Sequence, residues 1–276
     1  MNIWKKVGIA ALALSTLLGL SACNDDKHAM YALTSTGKLI GFQSDTPTDL
    51  TSSVSITGLS SGESIMQIDY RPSTGALYGF TTDNRLVTID PGSGASTAVA
   101  SAGYTDTTLT TPLISFDPVF DLMRVIATNA NQLVTPGNGV LYSTGTVVDF
   151  DNSDTNSDKS PQLAAITYSN HKSGVTTTTL YALDVTTHSL LRVGNDDATS
   201  TSSVNAGLLH TIGDVGFAFS ANAGLTTLPS SGDGYAALAQ GSAVSVLYKI
   251  DLGSGGLTKV DTIGDGVTII SLTATP

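Results

Sequence analysis

Five times along this chain a residue, usually polar, is followed by a leucine and a second apolar residue that open a short alternating run. The triplets are Lys38-Leu39-Ile40, Arg85-Leu86-Val87, Gln132-Leu133-Val134, Ser189-Leu190-Leu191 and Val246-Leu247-Tyr248. Their leucines lie 47, 47, 57 and 57 residues apart. Self-similarity at such a period restricts the fold severely, because each repeat must be a small unit that buries its faces against its neighbours. Each triplet also follows a second strand-like run, at residues 30–33, 77–80, 122–125, 180–183 and 234–238.

Before four of these runs lies a third, at residues 65–70, 113–116, 163–168 and 215–219. A weaker fourth follows the triplets, at 54–59, 95–100, 139–142, 207–212 and 257–263, with 147–150 as an extra candidate. Four short strands per unit, joined by Gly, Asn, Asp and Pro turns, predict a propeller blade. The first unit lacks its leading strand, and residues 268–273 have the character to supply it. The expected fold is all-β: a five-bladed β-propeller over residues 30–276, closed by pairing of the C-terminal strand with the N-terminal blade. Such closure hides both terminal strands inside one sheet. A sandwich or an open solenoid would hold the same strands, but neither explains why the missing one turns up at the far end.

The chain ahead of the first repeat has a different character. Lys5 and Lys6 precede an apolar stretch that ends in small residues and Cys23, the only cysteine. A basic start, a short apolar run and small residues at the cut describe a secretory signal over residues 1–22. The stretch is too short for a membrane span. Leu20-Ser21-Ala22-Cys23 resembles the bacterial lipobox. The resemblance implies that Cys23 becomes the first mature residue, carries lipid on sulfur and amino group, and anchors the domain to a membrane through a tether of residues 23–29. Asn24, where Asp would favour inner-membrane retention, points to the periplasmic face of the outer membrane.

The formal net charge is −11, and loss of Lys5 and Lys6 would make it more negative. That argues against nucleic acid and against anionic head groups as partners. Glu63 is the sole glutamate among 23 acids; the rest are Asp, which suits turns rather than helices. With one cysteine there is no intrachain disulfide, so burial and hydrogen bonds must hold the fold.

Three blocks carry a family likeness. They are Ile68-Asp69-Tyr70-Arg71-Pro72-Ser73-Thr74-Gly75-Ala76-Leu77-Tyr78-Gly79-Phe80, Arg85-Leu86-Val87-Thr88-Ile89-Asp90-Pro91-Gly92-Ser93-Gly94 and Phe116-Asp117-Pro118-Val119-Phe120-Asp121-Leu122-Met123-Arg124-Val125. The chain resembles the bacterial domain-of-unknown-function family 4394 (DUF4394) from Tyr31 to about Leu272. The resemblance implies a propeller-like fold in exported proteins and implies no activity. Val134 departs from the family's pattern, which usually places Arg there.

The family-like blocks supply the candidate binding residues Asp69, Arg71, Asp117, Asp121 and Arg124. Aligning the leading strands on Pro72 and Pro118 puts Asp69, Ser115, Thr167, Ala218 and Ser271 in one register, facing the central channel. They either ring its mouth or fill space where blades crowd; crowding is the plainer account. Asp121 and Arg124 could form an ion pair that pins blade three. The loop Asp149–Asp158 offers Asp149, Asp151, Asp154, Asn156 and Asp158 as oxygen donors for calcium, without the Gly and Glu of an EF-hand; a solvated insertion is the alternative. Otherwise no cofactor is expected. Tyr31, Tyr78, Tyr181 and Tyr235 recur at one blade position, where they could stack on sugar but more simply fill an interblade core. Gly58-Leu59-Ser60-Ser61-Gly62 matches a nucleophile elbow, but a strand rather than a helix follows it. His28, His171, His188 and His210 have no metal-ligand spacing.

The expected function is a lipid-anchored, extracytoplasmic, non-catalytic binding or scaffolding module of the bacterial envelope. Its partners would be the membrane through Cys23 and an envelope protein or glycan. The alternatives are a lectin-like carbohydrate binder and a channel-mouth hydrolase or lyase using Asp69 or Asp117.

Overall fold

Turn residues cut the apolar runs into strands of mostly five or six residues. In chain order these are β1 (Ala29–Thr34), β2 (Lys38–Gln43) and β3 (Thr46–Ser55), then β4 (Ile65–Arg71), β5 (Ala76–Thr81), β6 (Leu86–Ile89) and β7 (Ser96–Ala98). Next come β8 (Leu113–Asp117), β9 (Leu122–Ala127), β10 (Ala130–Thr135), β11 (Val140–Thr144) and β12 (Asp149–Phe150). They are followed by β13 (Leu163–Tyr168), β14 (Leu180–Asp184), β15 (Ser189–Val193), the single-turn helix α1 (Thr201–Asn205) and β16 (Leu208–Asp214). The chain finishes with β17 (Ala223–Thr227), β18 (Gly234–Leu238), β19 (Val246–Ile250), β20 (Leu257–Thr262) and β21 (Ile269–Ala274). The computed structural model describes residues 27–99, 108–195, 201–241 and 243–276.

These strands make five sheets, ordered β21-β1-β2-β3, β4-β5-β6-β7, β8-β9-β10-β11, β13-β14-β15-β16-β12 and β17-β18-β19-β20. The innermost strands pack in a closed circle: β4 on β8, β8 on β13, β13 on β17, β17 on β21 and β21 on β4. The protein is a five-bladed β-propeller. Ring closure is as expected: β21 pairs antiparallel with β1, setting Ala32 opposite Leu272 and Leu33 opposite Ser271.

Each of the five seams between blades holds one apolar cluster. The repeat leucines Leu39, Leu86, Leu133, Leu190 and Leu247 are all buried. Leu39 fills the seam of blades one and two, and Leu247 that of blades five and one. The repeat is thus largely a seam signal: in four of the five units its leucine packs in the cluster shared with the next unit. No helix among the described residues is long and apolar enough to cross a membrane.

Three strands differ from the sequence expectation. Residues 215–219 are not the leading strand of blade five; that strand is β17. Val215 and Phe219 are buried and Phe217 packs beside them, so their alternation serves a covering segment over the seam of blades four and five. The outer strand of blade one is β3, earlier than the expected 54–59. It is largely exposed and rich in Thr and Ser, so no apolar pattern marks it. Finally, β12 leaves blade three and pairs parallel with β16, giving blade four a fifth strand. The crossover is anchored by buried Phe150. At the N-terminal end β1 begins at Ala29, one residue ahead of the expected domain start, and His28 is held by Ser44 and by the Thr275 carbonyl.

Candidate functional site: the axial funnel

The inner strands carry a short polar side chain at one register position. Asp69, Ser115, Thr167, Thr226 and Thr273 stand opposite Tyr78, Arg124, Tyr181, Tyr235 and Tyr31 on the second strands. All five are buried. Four of them cross a seam to accept a backbone N–H from the next inner strand. Asp69 Oδ2 takes Phe116 N at 2.8 Å, Ser115 Oγ takes Tyr168 N at 3.2 Å, Thr226 Oγ1 takes Ala274 N at 3.1 Å and Thr273 Oγ1 takes Tyr70 N at 3.2 Å. At the remaining seam the sense reverses, and Thr227 Oγ1 donates to Tyr168 O at 2.8 Å. Inner strands pack edge to face without a shared ladder, so these side chains satisfy backbone groups that would otherwise be buried unpaired. The sequence register holds for Asp69, Ser115 and Thr167. It fails for Ala218, which lies ahead of β17, and for Ser271, two residues short of Thr273.

The axis is closed at the end where β4, β8 and β13 finish. His171, on the connection from β13 to β14, is 1% exposed and places Nε2 3.4 Å from Asp69 Oδ2. Asp69 Oδ1 accepts from Tyr70 N and Thr273 Oγ1. Midway along the axis only about 10 Å³ is left between Gln67, Asp69, Ile166, Leu225 and Leu272. That is room for about one water. The centre of the ring is therefore a blind pit. Nothing in the spacing of His171 along the sequence reveals that this connection folds back onto the axis.

At the other end the ring opens into a funnel of about 400 Å³. Every blade contributes: Thr34, Ser35, Gly37 and Ile270 from blade one, Ile65, Met66 and Gln67 from blade two, Pro112 and Leu113 from blade three, Leu163 and Ala164 from blade four, Ala221 and Asn222 from blade five. The walls are mostly apolar, with the amides Gln67, Gln162 and Asn222 and several hydroxyls as polar groups. None of the lining residues is titratable. Gln67 Nε2 donates to Ile270 O at 3.4 Å across the seam of blades one and two. Thr111, on the funnel wall, has φ +49°, a left-handed backbone that β-branched residues rarely adopt. Strain of this kind gathers at ligand sites. Concave, mostly apolar and sparsely polar is the usual constitution of a small-molecule site.

The family model of Domain of unknown function DUF4394 matches residues 38–273. The chain belongs to the DUF4394 family. No curated protein matches the sequence. Among solved structures, a protein of unknown function from Bacteroides thetaiotaomicron is similar at TM-score 0.52 and 13% identity, over 90% of this chain and 64% of that one. The alignment thus spans a little under two thirds of that protein. A chain of a nidogen/laminin complex aligns at TM-score 0.48 and 11% identity, over 91% of this chain and 98% of that one. At such identity the likeness extends to the fold alone.

In this DUF4394 chain the family-like blocks build the scaffold around the funnel. Arg71 Nε and Nη2 clasp Asp121 Oδ1 and Oδ2 at 2.8 and 2.5 Å, and Ser73 Oγ adds a bond at 2.7 Å. This pair bridges blades two and three at the closed end. Burial opposes ionisation of Asp121, but Arg71 and Ser73 outweigh it and hold the carboxyl below its ordinary range. The expected Asp121–Arg124 pair is therefore corrected. Asp121 sits in the β8–β9 turn with a left-handed φ of +54°, where Arg71 takes its carboxylate, whereas Arg124 lies on β9 itself. Arg124 is fully buried, with Nη1 donating to Asn131 Oδ1 at 2.8 Å and Asn205 Oδ1 at 2.7 Å. Asn131 in turn donates to Thr146 O and Val204 O, tying blade three to the crossover and to α1. Asp117 Oδ1 caps the β8–β9 turn by accepting from Val119 N and Phe120 N. Burial pushes its carboxyl up, and burial likewise raises the Tyr168 phenol to about 12. Neither Asp69 nor Asp117 lines the funnel. Val134, at the family's usual Arg position, is buried in the seam of blades two and three.

The acidic loop does not converge. Asp151 accepts from Ser153, Asp154 from Thr211 and Asn156, Asn156 donates to Thr211, Asp158 pairs with Lys159, and Asp149 accepts Phe150 N. Asp154 and Asn156 are taken up by Thr211 of β16, and the other acids by their own turns or by Lys159; among the described residues no three His, Cys, Asp or Glu side chains gather as metal ligands. The recurring tyrosines fill seams. Tyr31 packs on Tyr70 at 6.0 Å, Tyr78 on Phe116 at 5.0 Å, and Tyr235 is 1% exposed. Gly58–Gly62 is a turn leading to β4. Cys23 lies outside the described residues.

Proposed function

We propose that this protein is a non-catalytic binding module of the bacterial envelope, held to the membrane by lipid on Cys23, with the axial funnel as its ligand site. The observation that carries the reading is the funnel itself, a pit built by all five blades and lined without a titratable group. Such a lining can bury an apolar body and orient it through a few amides, and it offers no titratable acid or base to activate its hydroxyls. The candidate carboxylates support the same reading. Asp69 and Asp117 are buried and committed to backbone N–H groups. Two measurements test it. Dansylamide, a neutral aromatic fluorophore, is expected to bind wild-type protein, and Met66→Trp, which fills the funnel from a half-buried wall position, is expected to abolish binding while leaving the melting temperature near that of the parent. Mass spectrometry of the mature N-terminal peptide is expected to find acylated Cys23; an unmodified cysteine would remove the anchor but not the funnel.

A further inference from the structure

The funnel has a side chamber. A cavity of about 220 Å³ lies between blades three and four, and it shares the wall residues Thr111, Leu113, Gln162 and Leu163 with the funnel. One wall of the chamber is the crossover itself, where β12 leaves blade three to pair with β16 of blade four. The crossover brings Val148 and Asp149 into the lining. Asp149 is the one ionisable residue among those lining either cavity. It is exposed, and among the described residues its Oδ1 accepts the adjacent Phe150 N at 2.9 Å and no other group. Cations near the rim are placed elsewhere. Lys159, one residue outside the lining, is held by Asp158 at 2.8 Å. Lys38 follows the rim turn of blade one, which stands across the ring from this seam.

We infer that the ligand carries a cationic amine linked by a short spacer to an uncharged apolar body, the body seated in the funnel and the amine at Asp149. This inference rests on the funnel being the ligand site. The chemistry is complementary at each point. The funnel accepts an apolar body without charge, the shared wall accepts a flexible spacer, and the chamber presents an unpaired carboxylate. A net charge of −11 draws cations toward the molecule and repels anions. The strained backbone at Thr111 sits on the wall between the two cavities, where a bound spacer would run.

Dansylcadaverine joins the dansyl group to an amine through five methylenes, and dansylamide lacks both spacer and amine. With wild-type protein at low salt, dansylcadaverine should bind about fivefold more tightly, the advantage expected of one solvent-exposed ion pair. Asp149→Asn keeps the bond to Phe150 N and should erase that advantage while leaving dansylamide affinity unchanged. Raising salt to 1 M should shrink the advantage in wild type only. Equal affinities for the two probes, or an advantage that survives Asp149→Asn, would overturn the amine assignment and leave the funnel standing. Dansylcadaverine binding unaffected by Met66→Trp would show charge attraction at the surface and also overturn it. Failure of both probes to bind would remove the funnel reading itself.

Discussion

Glu63 is the only glutamate in the chain, and its carboxylate is sealed against Arg85, with Ser60 N donating to Oε2 at 2.9 Å. The hydrogen bond from Arg85 overrides burial and holds the group at about 2 against an ordinary 4.5. A depressed acid stabilises the fold above its ordinary titration range, and the contribution disappears as pH falls from about 4.5 towards 2. Glu63→Gln should therefore lower unfolding free energy by about 2 kcal/mol at pH 7 and by nearly nothing at pH 2. Urea titrations at the two pH values check this. Asp117 works in the other direction: its raised acid favours the fold most at low pH and loses that advantage as pH rises through its titration. At this scale the sequence is readable where a repeat sets the register. Asp69, Ser115 and Thr167 were found that way. Arg124 and His171 were not placed, because a side chain's face depends on where its strand begins and on which loop folds inward.

The inner strand of blade five shows why some elements hide from sequence. Its residues, Ala-Gly-Leu-Thr-Thr, carry no apolar alternation to mark a strand, yet every one of them is buried. The axis selects small side chains: a Cβ on Gly224 would lie 2.4 Å from Leu272 Cβ and 2.8 Å from Leu272 N. Gly224→Val is expected to cost about 1–3 kcal/mol through overpacking against β21. Gly137, which has open space around it and no left-handed φ, provides the comparison. Gly137→Ala should change stability by less than about 0.5 kcal/mol. Thermal unfolding of the two variants separates crowding at the axis from a general intolerance of larger residues. The same crowding explains the decoy at residues 215–219, where a stronger apolar alternation belongs to a covering segment. Strands near the axis look too small, and segments over a seam look too apolar.

Across the whole molecule, the ring was legible because one absence and one surplus matched: a blade short of a strand, and a strand short of a blade. The funnel was not. Its lining comes from the first residues of four inner strands, from the two residues just ahead of β17 and from single turns, spread from Thr34 to Ile270, and no local pattern joins them. Removing residues 268–276 deletes β21, strips Met30 to Thr34 of their ladder and takes Ser271 and Thr273 from blade two. The truncated chain should show no cooperative urea transition by tyrosine fluorescence, because two seams lose a wall and buried backbone groups lose partners. A truncation that unfolds with the parent's midpoint and slope would mean that blade one is stable without closure.

Translation makes β1 early and β21 after every other strand of the ring. A nascent chain can finish four blades while the first still waits with one edge bare. Messages cut short before β21, or ribosomes that stall ahead of it, yield products whose defect lies in β1. Such products should be open to proteolysis at the bare edge of β1, so the architecture itself inspects whether synthesis reached β21.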